Sequence, residues 1–273
     1  MTSPSPAAPA FVRWAGHPLR WRLLTELAGG DLRVRELVTL TGQPQSLVSY
    51  HLRLLRDGGL VTATRSSFDG RDTYYHLDLD RCADALAGAG TALHPALRLV
   101  PALPALPALP ALPALPALPA HHPAAPVAVL FVCTGNSSRS PIAEALLRRR
   151  TAGAVQAASA GTLPGPRLHP ETARVLHDEY GIDISRRRPR HLSALTGRRF
   201  DYLITLCDKA RETCPDLVDH PRRVHWSIPD PAAAGSTGQA AYPAFARVAA
   251  DIDTRIRYLL PVLTTSNRTE AQP

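Results

Sequence analysis

The segment Cys133-Thr134-Gly135-Asn136-Ser137-Ser138-Arg139-Ser140 sets a thiol and an arginine six positions apart, with small and hydroxylated residues between them. A thiolate is a nucleophile, and a guanidinium can fork two hydrogen bonds to a tetrahedral oxyanion. A short loop of small residues can turn successive amide N–H groups toward one point, and a following helix N-terminus adds to the same positive field. Such surroundings are expected to lower the Cys133 thiol below neutrality. On this reading Cys133 is the nucleophile, Arg139 the clamp, and Thr134, Gly135, Asn136, Ser137, Ser138 and Ser140 line the anion-binding loop. A cysteine buried under a glycine turn is the competing reading, and Cys-x5-Arg alone does not exclude it.

The flanking elements argue for the cradle. Val127 to Val132 is a continuous apolar run, as in a parallel strand buried on both faces. A helix is expected over residues 141–150, with Pro141 in its first turn. Further along, Cys207 and Cys214 stand seven residues apart behind the apolar segment 202–206. Two-electron reduction by thiols needs more sulfur than one nucleophile, so the pair is a candidate relay; two unrelated thiols are the alternative. An intact helix over 207–214 would hold their Cα atoms about 10 Å apart at about 1.5 Å per residue. A disulfide needs about 4.4–6.8 Å. The segment must therefore unwind for the two to join, with Pro215 marking its edge.

The string VLFVCTGNSSRSPIAEALL resembles the low-molecular-weight protein tyrosine phosphatase superfamily, which includes thioredoxin-coupled arsenate reductases, over about residues 126–262. The resemblance implies an α/β three-layer domain with a four-stranded parallel sheet. It also implies that Asn136 holds the loop, that Ser140 donates to the thiolate, and that Asp230 of Trp226-Ser227-Ile228-Pro229-Asp230-Pro231 is the general acid. A poor oxygen leaving group needs such an acid, although an Asp-Pro pair alone is often a turn. Cys207 and Cys214 match the resolving pair of the reductases, whereas the phosphatases tend to carry tyrosines after Asp-Pro. Here Ala232-Ala233-Ala234-Gly235 follows. The implied function is reduction of arsenate to arsenite, with thioredoxin as external reductant and no bound cofactor. A phosphatase, or a non-catalytic anion sensor, is the alternative. Asn136, Glu144 and Ser159 offer oxygens of the kind that bind potassium in some reductases. No acidic residue stands near Arg190-His191-Leu192, and no metal is expected.

Other elements must position these groups. Residues 156–160 and 202–206 read as strands, 170–180 as a helix and 251–260 as a closing helix. The arginines at 148–150, 186–188 and 190 read as a solvated basic face.

Ahead of this domain lies a different pattern. Residues 17–28 place Leu19, Leu23, Leu24 and Leu27 at helical spacing; 34–41 and 45–56 are two further helices separated by Gly42-Gln43-Pro44. Leu47, Val48, Leu52 and Leu55 are expected to face inward. Strands at 60–64 and 73–79 flank the turn Phe68-Asp69-Gly70-Arg71-Asp72. Helix, turn, helix and β-wing spell a winged helix-turn-helix. Gln45, Ser46, Ser49, Tyr50, Arg53 and Arg56 form the outward face of the third helix, suited to base edges and phosphates, and Arg65 and Arg71 add wing contacts. HPLRWRLLTEL and SLVSYHLRLLRDGGLV resemble the ArsR-type metalloregulator family over about residues 10–85. The resemblance implies operator DNA as partner and a homodimer through this domain. A protein-interaction module is the alternative. Many arsenite-sensing relatives carry a Cys-x-Cys-like pair where this chain has Asp31-Leu32-Arg33-Val34-Arg35-Glu36, and arginine supplies no soft ligand. Cys82 is expected to be a small buried residue.

Between the two domains, at residues 10–94 and 126–264, runs a linker (95–125) in which Pro-Ala-Leu repeats six times from Pro101. Proline at every third position excludes helix and sheet interiors. Polyproline II at about 3.1 Å per residue would make twenty residues span about 60 Å. A spacer is the expected role; a leucine stripe that docks, or a ligand for proline-binding modules, are the others. The 273 residues include 31 Lys and Arg against 23 Asp and Glu, a net +8 that favours anionic partners. Most of the excess lies beyond residue 120. The four cysteines make no disulfide scaffold, and neither a secretory leader nor a membrane span is expected, so the compartment is expected to be the reducing cytoplasm.

Overall fold

The computed structural model of the chain describes residues 8–94, 97, 126–217, 221–233 and 240–269. The expected spacer at 101–120 lies outside the described residues. Two compact units result.

The first unit runs α1 (Ala10–Ala15), α2 (Pro18–Leu27), β1 (Leu32–Arg33), α3 (Val34–Thr41), α4 (Gln45–Asp57), β2 (Val61–Arg65), β3 (Thr73–Leu77) and α5 (Leu79–Leu93). β3 lies between β1 and β2, antiparallel to both. Pro18 stands in the first turn of α2, and the His17 ring accepts from the Leu19 amide, satisfying one of the free donors there. Glu36 reaches back to the Arg33 amide at 2.8 Å at the start of α3. Gly42 ends α3 at φ 67°, a left-handed turn that costs glycine little. Leu23, Leu24, Leu27, Leu37, Val48, Leu52 and Leu55 form the core. Leu47 departs from the expectation: it is exposed, and His51 takes an inward place instead. The angular position of Leu47, one residue before Val48, swings it past the edge of the apolar stripe.

Two helices here went unread in the sequence. α1 is only six residues long. α5 is rich in alanine and glycine and buries no residue fully, so it carries no strong periodic signal. Cys82 lies on α5 and is half-buried rather than buried. Burial pushes its thiol up to about 11, with Asp78 adding to the effect.

The second unit runs β4 (Ala128–Cys133), α6 (Arg139–Arg150), β5 (Gln156–Gly161), α7 (Pro170–Tyr180), a 3-10 turn (Leu192–Leu195), β6 (Tyr202–Thr205), α8 (Asp208–Thr213), β7 (Arg222–His225) and α9 (Tyr242–Thr269). The four strands are parallel in the order β5-β4-β6-β7. Every residue of β4 is buried, as a central strand covered on both faces requires. Ile142, Leu146 and Leu147 of α6 and Phe245, Ile252 and Ile256 of α9 join the same core.

Two helix boundaries and one strand depart most from the expectation. α6 starts at Arg139, two residues before Pro141; a proline in the first turn removes only an amide that has no helical partner. The closing helix begins at Tyr242 and runs through Pro261, because its apolar stripe continues to Leu263 on the core side. β7 is an edge strand of sequence Arg-Arg-Val-His, too polar to read as a strand. Among the described residues no helix is long and apolar enough to cross a membrane.

Candidate active site

The loop after β4 is shaped from outside. Its carbonyls are taken by amides of the segment that follows β5: Thr162 donates to Cys133 at 3.2 Å, Leu163 to Thr134 at 2.9 Å, Gly165 to Gly135 at 2.9 Å and His169 to Ser137 at 3.0 Å. A peptide whose carbonyl is drawn outward turns its N–H the other way. The Asn136 amide accordingly donates to Cys133 Sγ at 3.3 Å. Asn136 itself holds φ 47°, a left-handed conformation that asparagine tolerates better than most residues. Its side chain is fixed on both ends: Nδ2 donates to Ser140 Oγ (2.9 Å) and Ser159 Oγ (2.8 Å), and the Arg190 amide donates to Oδ1 at 2.9 Å. Cys133 Sγ and Ser140 Oγ share a 3.0 Å hydrogen bond.

The backbone at the end of β5 fits this loop only as glycine. A Cβ on Gly161 would lie 2.6 Å from the Thr134 carbonyl oxygen and 3.1 Å from Asn136. Gly161→Ala is expected to cost about 1–3 kcal/mol of stability and to weaken phosphate inhibition, measured by thermal unfolding and by competition with an aryl phosphate.

Arg139 turns back over the loop. Its side chain is 6% exposed; Nη1 donates to the Ile228 carbonyl at 3.0 Å and Nη2 pairs with Asp230 Oδ2 at 3.1 Å. Nε is buried and has no hydrogen-bond partner among the described residues. A buried charged donor left over in this way calls for an anionic partner. Asp230 is 41% exposed at the mouth, where a general acid can exchange its proton with solvent. The Cys133 thiol departs from expectation. Complete burial pushes it up, opposed by Arg139 and the Ser140 hydrogen bonds and reinforced by the neighbouring Cys207.

Cys207 Sγ lies 3.4 Å from Thr134 Oγ1, so the second sulfur touches the loop that carries the first. Cys207 and Cys214 are the two caps of α8, and all four cysteines are free thiols. The start of that helix is anchored. Asp208 is buried, accepts from Ser227 Oγ at 2.7 Å and meets His225 Nε2 at 3.1 Å, while Thr205 Oγ1 meets His225 Nδ1 at 2.8 Å. Burial alone would raise the Asp208 carboxyl, but the hydrogen bonds from His225 and Ser227 hold it well below the usual range. At the far end the Cys214 amide donates to the Ala210 carbonyl at 2.9 Å and Arg223 Nη2 donates to the Cys214 carbonyl at 3.1 Å. Burial raises the Cys214 thiol, against the pull of Arg223. Thr213, Pro215, Asp216 and Leu217 also line a cavity of about 820 Å³ facing the segment 191–200.

The family model of the low molecular weight phosphotyrosine protein phosphatases matches residues 128–270. The chain belongs to that family. Its phosphatase-family domain is 35% identical over 129 residues to a Brevibacillus brevis protein named arsenate reductase, a match spanning 47% of this chain and 90% of the relative. A Bacillus subtilis protein of the same name is 33% identical over 129 residues, covering 47% and 91%. A solved thioredoxin-dependent arsenate reductase of Corynebacterium glutamicum is 31% identical, with a TM-score of 0.42, over 52% of this chain and 65% of that one. The bacterial regulatory protein arsR family matches residues 17–63, so the N-terminal unit carries an arsR-type helix-turn-helix.

Gln45, Ser46, Ser49, Tyr50, Arg53 and Arg56 of α4, Arg65 at the end of β2 and Arg71 in the turn after it are all exposed, and the Arg53 guanidinium lies over the Tyr50 ring. In the phosphatase-family domain two groups escaped the sequence reading. Asp208 and its partners left only the sign that an acidic residue opens α8. The arginines read as a solvated face are in part structural: Arg187, Arg148 (3.0 Å) and Arg190 (3.6 Å) converge on Glu144, and Arg150 pairs with Asp253. A carboxylate buried among apolar positions on α6 was their one sequence signal.

Proposed function

We propose that the C-terminal domain reduces arsenate to arsenite through a three-cysteine relay, and that the N-terminal domain ties this enzyme to operator DNA. The observation that carries the reading is Cys207 against Thr134, which sets a second thiol beside the nucleophile's loop. The relatives named arsenate reductase support it. Cys133 thiolate attacks arsenic; Asp230 protonates the departing oxygen, which leaves as water, and a cysteinyl–arsenate ester forms. Cys207 thiolate then attacks Cys133 Sγ. The S–As bond breaks with its electron pair going to arsenic, arsenite leaves, and a Cys133–Cys207 disulfide holds the oxidation. Cys214 thiolate attacks Cys207, releasing the Cys133 thiolate and leaving a Cys207–Cys214 disulfide for an external dithiol, thioredoxin, to reduce.

The buried anchor at Asp208 supports a motion of the opposite end of α8. Asp208 fixes the start and the cavity flanks the end, so Cys214 travels to Cys207 as the last turn unwinds. Hydrogen exchange is the check on that motion: amides of 210–214 lose protection in the oxidised chain, and unchanged protection would contradict it. Thioredoxin-coupled turnover with arsenate, compared with hydrolysis of an aryl phosphate, tests the function. Arsenate-dependent consumption of the reductant is expected; aryl phosphate hydrolysis alone would make the domain a phosphatase.

For the N-terminal domain, Arg53→Ala is expected to weaken DNA binding across sequences and to lower the salt slope by about one, as read by fluorescence anisotropy in a salt series. An unchanged slope would take Arg53 off the phosphates. α1 and α5 pack together and expose Val12, Leu86 and Leu93, which supports a homodimer through this unit. Cytoplasmic residence fits thiols that work by cycling.

A further inference from the structure

Glu144 on α6 is 1% exposed, yet it is a carboxylate, and a buried charge persists only when it is paired and hydrogen-bonded. Arg187 supplies the closest partner, contacting Glu144 Oε2 with the same Nη2 that reaches Ser159 Oγ at 3.4 Å. Ser159 in turn accepts from Asn136 Nδ2, and Asn136 Oδ1 accepts from the amide of Arg190. A continuous chain therefore runs from Arg187 through Ser159 to the one non-glycine residue of the loop with positive φ. Of the oxygens that read in the sequence as candidate potassium ligands, those of Glu144 and Ser159 meet at one guanidinium nitrogen, while Asn136 turns its amide nitrogen to Ser159 and its oxygen to the Arg190 amide. Arginine stays protonated at every accessible pH, so a free cation would enter against its charge and compete for the same oxygens. These residues do not fit a bound metal ion.

We propose that Arg187 is a positioning residue, a tethered cation that holds Glu144, Ser159 and Asn136 so that the loop binds oxyanions without any free monovalent cation. The proposal rests on the reading of the loop as an oxyanion cradle, whichever oxyanion is turned over. It is tested on the full chain by calorimetric titration with inorganic phosphate in choline chloride and in potassium chloride at equal ionic strength. The wild-type affinity is expected to agree within about twofold in the two salts, and Arg187→Ala to lose about tenfold or more in choline chloride, the scale of outer-shell losses. Millimolar guanidinium or potassium is expected to restore much of that loss, a rescue that a packing defect would not show.

Arg187→Lys keeps the charge and is expected to retain most of the affinity. It decides the matter if the alanine variant lacks a native circular dichroism spectrum, and a tenfold loss in the lysine variant would then overturn the proposal. A wild type that gains fivefold or more from potassium would overturn it, as would an alanine variant with unchanged affinity in choline chloride. No phosphate binding by the wild type in either salt would instead bring down the cradle reading beneath it.

Discussion

Cys214→Ser is expected to release a single arsenite per chain and then stop. Serine replaces a buried thiol by a group of nearly the same shape, so the domain should fold and the cradle should remain intact. The first two sulfur steps need only Cys133 and Cys207, and they still run. Without Cys214 the Cys133–Cys207 disulfide has no internal resolver, and steady-state reduction should fall by about 100-fold or more, equivalent to about 2.7 kcal/mol of barrier. Hydrolysis of an aryl phosphate under reducing conditions uses neither Cys207 nor Cys214 and should change by less than about twofold, well under one kcal/mol. Rapid-quench measurement of arsenite, with peptide mapping of the trapped disulfide, separates these outcomes. Full turnover by this variant with thioredoxin would end the proposed relay.

Arg139→Lys should be nearly as damaging and for both oxyanions. The guanidinium reaches Ile228 and Asp230 from one planar group, and leaves a buried Nε over for the anion. A lysine nitrogen is a single point with no fork, and it cannot keep the Ile228 and Asp230 contacts while serving the substrate. Loss of an aligned donor to a developing oxyanion typically costs about 10²–10³-fold in rate, and that range is expected in kcat/KM for arsenate and for an aryl phosphate. Single-turnover rates for Arg139→Lys within about fivefold of the wild type would remove Arg139 from the clamp.

The sequence disclosed the strand and the loop after it well because one chemical pattern and one structural pattern coincide there. The apolar run into Cys133 can only be a covered strand, and the small residues after it leave room for amides to turn inward. The loop's external support was not legible: the amides of 162–169 that take its carbonyls act through backbone, which leaves no side-chain signature. The complete burial of Cys133, which pushes its thiol up against the pull of Arg139 and Ser140, was not legible, because spacing reports charge and dipoles but not burial. Arg187 looked like one of several surface arginines, since nothing local shows that a carboxylate on α6 lies beneath it. On the arsR-type unit the exposed polar face of α4 was legible from polarity alone, whereas α5 was not, because its small side chains bury too little to mark a face.

In the proposed relay, the six-residue helix with a thiol at each cap separates the place where oxidation would be created from the place where it would be discharged. Under that relay the electron donor would never have to enter the oxyanion pocket, so the pocket could stay as narrow as its substrate while the donor is as large as a whole protein. Selectivity for the small anion and compatibility with a bulky redox partner would then be set by different surfaces and could change independently.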